Sequence, residues 1–261
     1  MIGGMKTLIV LGALLMSISS HAAVQGSNVL YKDGSAELEG YLAKDPSKKS
    51  DRGLIIVPDW KGVSAFYEDK AKAMASEGYV VLVADIYGKG VRPKTNEEAG
   101  AQAGKYKGDR PLLRSRVGAA LARLKQEKGV SADKIVAMGY CFGGTTVLEL
   151  ARAGANVDGV VSFHGGLSTP TPADAKNIKG KVLVLHGADD PNVPDTEVAA
   201  FEKEMRDAGV DWQLVKYSGA VHAFTNPGAG NDNSKGAAYN EKADKRSWVA
   251  MKDFFKEIFG K

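Results

Sequence analysis

The sequence contains very little cysteine: Cys141 is the only one among 261 residues. A single cysteine excludes an internal disulfide, so the chain is not one of the small disulfide-rich scaffolds found among secreted proteins. Such a thiol is either an inert buried side chain or a residue kept for its chemistry, and the count alone favours the inert role. Its position in the fold must decide between the two.

Histidine is also scarce, with four residues, and these do not occur at metal-ligand spacings. The sequence has no glycine-rich phosphate-binding motif. We therefore expect neither a metal nor a cofactor. The 35 basic and 31 acidic residues are nearly balanced and form no basic cluster, which argues against a nucleic-acid partner.

The first 22 residues have the pattern of a secretory signal peptide. Lys6 precedes an apolar core over residues 7–18, and Ser20-His21-Ala22 matches a cleavage site with small residues. A helix of the folded domain is the alternative. We expect an exported protein, located in a bacterial periplasm, whose translation begins at Met1 or Met5.

After removal of this segment, residues 23–261 have a length suited to one domain, and no linker divides them. No second apolar run reaches the roughly 20 residues that span a bilayer. We expect no membrane association after cleavage, a small molecule as the partner, and a monomer or small homo-oligomer as the assembly.

Short apolar runs rich in Val and Ile alternate with amphipathic patterns. The runs have the character of strands buried on both faces of a sheet, at residues 54–57, 79–84, 135–138, 160–163 and 182–185. Helical periodicity occurs at residues 113–124, 145–153, 198–208 and 248–258. Such alternation predicts an α/β fold with a mostly parallel central sheet and helices on both faces.

An antiparallel hairpin is expected before this alternating region. Residues 29–31 and 38–42 flank Asp33-Gly34, a dipeptide typical of tight turns between strands. The hairpin should lie at the edge of the sheet.

The chemically distinctive residues follow the predicted strands, where ligands of α/β sheets bind. They share this one edge of the sheet: Asp59, Trp60, Asp85, Tyr87, Cys141, His164, Asp189, Asp190 and His222. A concentration of this kind is typical of an active site.

Cys141 lies in Gly139-Tyr140-Cys141-Phe142-Gly143, which has the spacing of a nucleophile elbow between a strand and a helix. The glycines permit close backbone approach, and the central residue takes a strained conformation. The start of the helix favours a thiolate, and the Phe142 amide there is placed to stabilise an oxyanion. Position therefore favours a chemical role for the cysteine.

Three histidines remain after cleavage as candidates for the base. His186 lies inside a predicted strand, where we expect a structural, hydrogen-bonded imidazole, and His164 is expected to line the pocket. His222 follows the last strand, so nucleophile, acid and histidine occur in the order of α/β-hydrolase triads. The acid should come from Asp189 or Asp190, since both follow the penultimate strand.

Together these motifs resemble the dienelactone hydrolase family, the α/β-hydrolase branch with a cysteine nucleophile. The resemblance rests on G-Y-C-F-G-G around Cys141, on H-G-A-D-D-P-N-V-P, and on His222 followed by x-Phe. It extends over roughly residues 28–259. The resemblance implies Asp190 as the family aspartate and the Trp60 amide as the second oxyanion donor.

Two residues depart from the family pattern. Asp59 stands where the founding enzymes have a glutamate that takes part in thiol activation, and Asn226 replaces an arginine that binds the substrate carboxylate. Unless another cation replaces that arginine, we expect neutral esters to be cleaved at least as well as anionic lactones. Lys61, Lys89 and Arg92 are the candidate replacements.

The resemblance implies hydrolysis of an ester or lactone through a Cys141-His222-Asp190 triad and a thioester. Tyr87 and residues 88–110 are expected to form a roof over the pocket, with a solvated connection as the alternative for most of the segment. Two other functions are considered: a non-catalytic scaffold that binds a small molecule, and a thiol redox sensor. Neither requires an aspartate and a histidine at triad positions.

Overall fold

The structure is a computed structural model and describes Met1 and residues 24–260. The predicted signal peptide lies almost entirely outside the described residues. An eight-stranded sheet forms the centre of the fold. Its strands are β1 (Gln25–Asp33), β2 (Ala36–Lys44), β3 (Arg52–Val57), β4 (Tyr79–Val83), β5 (Ile135–Tyr140), β6 (Gly159–Phe163), β7 (Lys181–Gly187) and β8 (Trp212–Tyr217).

The spatial order of the strands is β1-β2-β4-β3-β5-β6-β7-β8. β1 and β2 form the antiparallel hairpin, and β2 is also antiparallel to β4. The other neighbouring strands are parallel. The predicted mostly parallel sheet with an N-terminal hairpin is confirmed, although the hairpin strands are longer than the apolar runs suggested.

Within residues 24–260, six α-helices cover the sheet: α1 (Ala65–Ser76), α2 (Asn96–Gly108), α3 (Arg110–Lys125), α4 (Phe142–Arg152), α5 (Asp195–Ala208) and α6 (Glu241–Phe259). Helices α3 to α6 confirm the four periodic patterns. Short 3-10 helices occupy Pro172–Asn177, Pro227–Ala229 and Asn233–Lys235.

The core lies on both faces of the sheet because the side chains of each strand alternate between them. Ile55 faces the side covered by α3, α4 and α5, where Leu113, Val147 and Phe201 are buried. Its neighbour Ile56 faces the side covered by α1 and α6. β3 to β6 are nearly completely buried, which explains their continuous apolar sequence.

Residues 88–110, expected to form a roof over the pocket or, for most of the segment, a solvated connection, contain helix α2, and most of them are exposed. The buried face of α2 consists of Ala99, Ala103 and Tyr106, and so few bulky apolar residues give no visible stripe. The sequence instead marks the start of the helix, because Thr95 and Glu98 form a capping box there. Helix α1 was also missed.

No helix within residues 24–260 is long and apolar enough to cross a membrane. The parallel strands all end at the same edge of the sheet. This edge carries the candidate site.

Candidate active site

Cys141 occupies a strained turn between β5 and α4. Its backbone has φ 54° and ψ −113°, a region that side-chain-bearing residues rarely adopt. A Cβ atom at Gly139 would overlap the backbone of Gly143, and one at Gly143 would overlap the carbonyls of Val57 and Pro58. Glycine is therefore required on both sides of the turn, as in a nucleophile elbow.

Cys141, His222 and Asp190 form one hydrogen-bonded chain. His222 Nε2 lies 3.0 Å from Cys141 Sγ, and His222 Nδ1 lies 2.8 Å from Asp190 Oδ2. The Asn192 amide donates to the other oxygen of Asp190 at 2.8 Å and fixes the carboxylate. The structure thus brings together the three residues predicted as the triad.

The pKa of His222 is raised to about 10. Burial acts against the charged imidazole, but the hydrogen bonds to Asp190 and Cys141, together with their charges, outweigh it. The geometry therefore favours a protonated imidazole beside the sulfur.

Burial distinguishes the two candidate acids. Asp190 is 5% exposed and points its carboxylate at His222. Asp189 is exposed to solvent, and its amide donates to the Ala220 carbonyl. Of these two aspartates, only Asp190 contacts the imidazole of His222.

The segment after β8 holds His222 in place. Its amide donates to the Gly236 carbonyl at 3.2 Å, and its carbonyl accepts from the Ala238 amide at 3.0 Å. Residues 222 and 237 form an isolated parallel bridge. Although His222 lies in a loop, its backbone is fixed on both sides.

The loop after β3 carries Asp59 and Trp60 at the mouth of the site. The Lys61 amide donates to Asp59 Oδ1 at 2.9 Å, and the Gly62 amide donates to the Asp59 carbonyl at 3.0 Å. Gly62 has φ +79°, which closes the turn. Phe142 is the first residue of α4, where a helix amide has no acceptor within the helix.

A cavity of about 600 Å³ opens above Cys141. The residues that line it come from the loops after β3, β5, β6 and β7, from α1, α2 and the start of α4, and from the segment after β8. Those with polar or charged side chains are Asp59, Lys61, Tyr67, Asn96, Lys107, Thr145, His164, Asn192, His222, Asn226 and Lys235. Trp60 and Phe142 also line it.

Three lysines, Lys61, Lys107 and Lys235, reach this cavity. The other two cations considered as replacements for the family arginine lie elsewhere. Lys89 faces Glu37, and Arg92 pairs with Asp85 at 3.5 Å. Sequence reasoning missed Lys107 and Lys235 because one lies on an unrecognised helix and the other on a long connection.

His164 and Asn226 line the cavity as expected. His164 Nε2 lies 2.8 Å from Thr225 Oγ1, and its ring meets that of His222 edge-on at 5.4 Å. Burial, reinforced by the charge of His222, lowers the pKa of His164 well below its usual value, so this imidazole is neutral. The Asn226 side chain accepts from the Gly228 amide at 2.8 Å and so caps a 3-10 helix.

Tyr87 does not line the cavity; it lies behind the loop of Trp60. Its hydroxyl donates to the Trp60 carbonyl at 2.9 Å, and its ring packs against Phe142 with centroids 5.5 Å apart. Asp85 is also remote from the cavity lining, because its carboxylate accepts from the Glu39 amide and joins the hairpin to the sheet.

His186 is buried within β7, as its sequence position indicated. The hydrogen-bonded role expected for it is not found at Nδ1, which has no partner among residues 24–260. Burial instead lowers the pKa of this imidazole and keeps it neutral. Within the same residues, no group of three or more His, Cys, Asp or Glu side chains is arranged to hold a metal ion.

The chain is similar to known proteins over most of its length. The model of the dienelactone hydrolase family matches residues 38–259. A Bradyrhizobium relative, a probable 2-oxo-3-(5-oxofuran-2-ylidene)propanoate lactonase, is 30% identical over 194 residues, which cover 70% of this chain and 77% of that protein.

Two of the solved structures with this fold are more than one third identical to the chain in sequence. The structure named m3DLH has a TM-score of 0.87 and 38% identity and covers 90% of this chain and 99% of its own. A dienelactone hydrolase-like promiscuous phosphotriesterase from metagenomic libraries has a TM-score of 0.85 and 37% identity, with the same coverage. The predicted fold and family are confirmed: the chain belongs to the dienelactone hydrolase family and is an ester or lactone hydrolase.

Proposed function

We propose that the protein hydrolyses ester or lactone bonds of small molecules by acyl transfer to Cys141, with His222 and Asp190 completing a catalytic triad. The observation that carries the proposal is the continuous hydrogen-bonded chain from Asp190 through His222 to the sulfur of Cys141. This chain ends at the floor of a cavity large enough for a small ester or lactone.

In the first step, the Cys141 sulfur bonds to the carbonyl carbon of the substrate. His222 holds the thiol proton on Nε2, and Asp190 stabilises the resulting imidazolium through Nδ1. The negative charge that develops on the carbonyl oxygen is stabilised by the amides of Trp60 and Phe142.

Collapse of this intermediate breaks the bond to the alcohol oxygen, which takes the proton from His222 and leaves as a hydroxyl. A thioester remains on Cys141. His222 then removes a proton from water, the water oxygen bonds to the acyl carbon, and the carbon–sulfur bond breaks to release the acid. Electrons and protons balance without a cofactor.

The charged residues that line the cavity support the proposal that the substrate carries negative charge. Lys61, Lys107 and Lys235 line it, whereas Asp59 is the one carboxylate among the lining residues within the described part of the chain. The name of the Bradyrhizobium relative describes an oxofuranylidene propanoate, which combines a lactone ring with a carboxylate. In this proposal the three lysines take over the role of the family arginine, whose position is occupied by Asn226.

The test uses wild-type protein and Cys141→Ala against a panel of lactones and short acyl esters. Wild type should turn over at least one class and, after rapid quenching, carry the substrate acyl mass on the peptide containing Cys141. Cys141→Ala should show neither property. Binding without turnover would indicate a scaffold, and reversible oxidation of Cys141 without turnover would indicate a redox sensor.

We also propose that the chain is exported after removal of residues 1–22, on the basis of the sequence pattern around Ser20-His21-Ala22. Expression of the full chain in a bacterial host followed by fractionation tests this. A periplasmic product whose N-terminus lies near Ala23 supports export, and an unprocessed cytoplasmic product contradicts it.

A further inference from the structure

A second cavity lies between helices α1 and α6, apart from the candidate active site. Its volume is about 570 Å³, and its lining residues within the described part of the chain belong to these two helices. None of them also lines the cavity above Cys141. The volume falls within the range of roughly 300–1,000 Å³ that is typical of small-molecule sites.

Lys70 of α1 lines this cavity with its ammonium group held among three aromatic rings. Its Nζ lies 4.7 Å from the centroid of Phe66, 5.0 Å from that of Trp248 and 5.2 Å from that of Tyr140. Aromatic faces attract a cation but carry no net charge, so they leave its charge uncompensated. The rings therefore fix the position of a cation that still lacks an anion.

No carboxylate within residues 24–260 forms an ion pair with Lys70. Asp244 of α6 lines the same cavity and acts on the ammonium through its charge, from beyond ion-pair distance. Its carboxylate accepts a hydrogen bond from the Tyr239 hydroxyl at 3.2 Å. Burial lowers the pKa of Lys70 in spite of the Asp244 charge. An anion placed beside the ammonium would offset this cost of burial.

The other charged groups at the cavity have partners on the protein surface. Asp69 pairs with Lys72 at 3.0 Å, and Lys245 pairs with Glu241. Both pairs are highly exposed to solvent, where such contacts contribute little to stability but leave neither charge alone. Lys70 is consequently the cation that a ligand in this cavity would meet without a competing carboxylate in contact.

The walls around Lys70 offer apolar surface. The rings of Phe66 and Trp248 are only partly buried, and the alanine side chain of Ala73 is exposed. Val249 also lines the cavity and is 54% exposed, which is unusual for a large apolar side chain in this protein. These groups form a hydrophobic wall next to a fixed positive charge.

We propose that the cavity between α1 and α6 is a binding site for a small carboxylate with an apolar body. The carboxylate would pair with Lys70, and the apolar body would cover Phe66, Trp248 and Val249. A small molecule is favoured over a protein partner because two short helix segments line the cavity, whereas a protein interface involves roughly 20–30 residues on each side. The inference is independent of the proposed function, since it uses no residue of the triad.

The three tryptophans of the chain provide the test, because each reports on a different place. Trp248 lines the second cavity, Trp60 lines the cavity above Cys141, and Trp212 packs against Phe201. Fluorotryptophan is incorporated into the full chain, and the fluorine NMR resonances are assigned with single Trp→Phe variants. Sodium octanoate is the probe, and octanol is its uncharged analogue of equal chain length.

Octanoate should shift the Trp248 resonance saturably and leave that of Trp212 in place. Octanol should require at least about a 10-fold higher concentration for the same effect, because it cannot pair with the ammonium. Lys70→Met keeps a long apolar side chain and removes the charge, so it should weaken octanoate binding about 10-fold and leave octanol unaffected.

Lys72→Met is the matched control, because Lys72 lies on the same helix but outside the cavity lining. It should bind octanoate as wild type does. Thermal unfolding of both lysine variants establishes that they are folded, and the comparison of octanoate with octanol in wild type tests the charge without any substitution.

Three results would overturn the inference. A shift confined to Trp60 would mean that octanoate binds only above Cys141. Equal effects of octanoate and octanol, or of octanoate on wild type and Lys70→Met, would reduce the cavity to an apolar groove. A Trp248 resonance that responds to protein concentration and not to octanoate would assign the groove to a second copy of the chain.

Discussion

The Tyr87 hydroxyl donates to the carbonyl oxygen of Trp60 at 2.9 Å, and the same ring packs against Phe142. One side chain thus contacts both residues whose amides are proposed to stabilise the oxyanion. Tyr87 is itself fixed, because its carbonyl accepts from the Tyr106 hydroxyl at 3.0 Å.

Tyr87→Phe should consequently lower kcat about 10-fold with little change in KM, because a displaced donor matters most in the transition state. Steady-state kinetics on one neutral ester measure this. Tyr217→Phe serves as the control, since the buried Tyr217 hydroxyl has no hydrogen-bond partner within residues 24–260. An increase in KM alone would place Tyr87 in substrate binding instead.

Asp190→Asn should reduce kcat/KM by at least about 100-fold while the protein remains folded, because an amide does not stabilise the imidazolium of His222. Asp189→Asn is the matched control and should lose far less, since Asp189 is exposed and does not touch the imidazole. Kinetics and thermal unfolding of both variants provide the comparison. Similar losses would mean that the acid is misassigned.

Cys141→Ser tests whether the site is arranged for a thiolate. A serine hydroxyl barely ionises at neutral pH, so we expect a loss on the order of 100-fold in kcat.

Iodoacetamide should label wild-type Cys141 rapidly and abolish turnover at the same rate. An inert thiol would react only after unfolding, and Cys141→Ala would then destabilise the fold by about 1 kcal/mol through a small cavity.

The free energy of unfolding should depend on pH through His222. Because its pKa is raised from 6.5 to about 10 in the fold, its contribution is fully present below pH 6.5 and is lost as pH rises through about 10. Urea denaturation at several pH values should show this decline in wild type. In Asp190→Asn the decline should be shallower, and an unchanged slope would contradict the coupling.

Lys107→Met should lower kcat/KM for anionic lactones about 5-fold or more but leave neutral esters almost unaffected, because a cavity-facing cation is lost. The loss should shrink with added salt. Lys89→Met is the matched control, since Lys89 lies opposite Glu37 and outside the cavity lining. If neutral esters remain the better substrates of wild type, the lysines do not replace the missing arginine.

The central sheet could be predicted because its strands are buried on both faces and therefore read as continuous apolar runs. The positions of Cys141 and His222 could also be proposed, because each follows a strand and the chain order is informative, whereas the choice of Asp190 over Asp189 came from the family resemblance. Their mutual distances depend on the packing of three loops, which no local pattern contains.

The parts that could not be predicted are those with weak local signals. Helix α2 buries alanines instead of large side chains, so Lys107 was not expected to face the cavity. Tyr67 looked like one more apolar residue of a helix, and its place in the cavity lining depends on how α1 meets the loop after β3. Contacts between distant elements determine both roles.

The glycine contacts of the elbow divide the site into an invariant part and an adjustable part. Because any side chain at Gly139 or Gly143 would overlap backbone, these two positions of the turn that presents the sulfur accept only glycine. Part of the cavity wall belongs instead to α2 and to residues 223–237, which contribute no member of the proposed triad. Directed evolution of substrate range should therefore accept many substitutions in these walls while the reaction itself is retained.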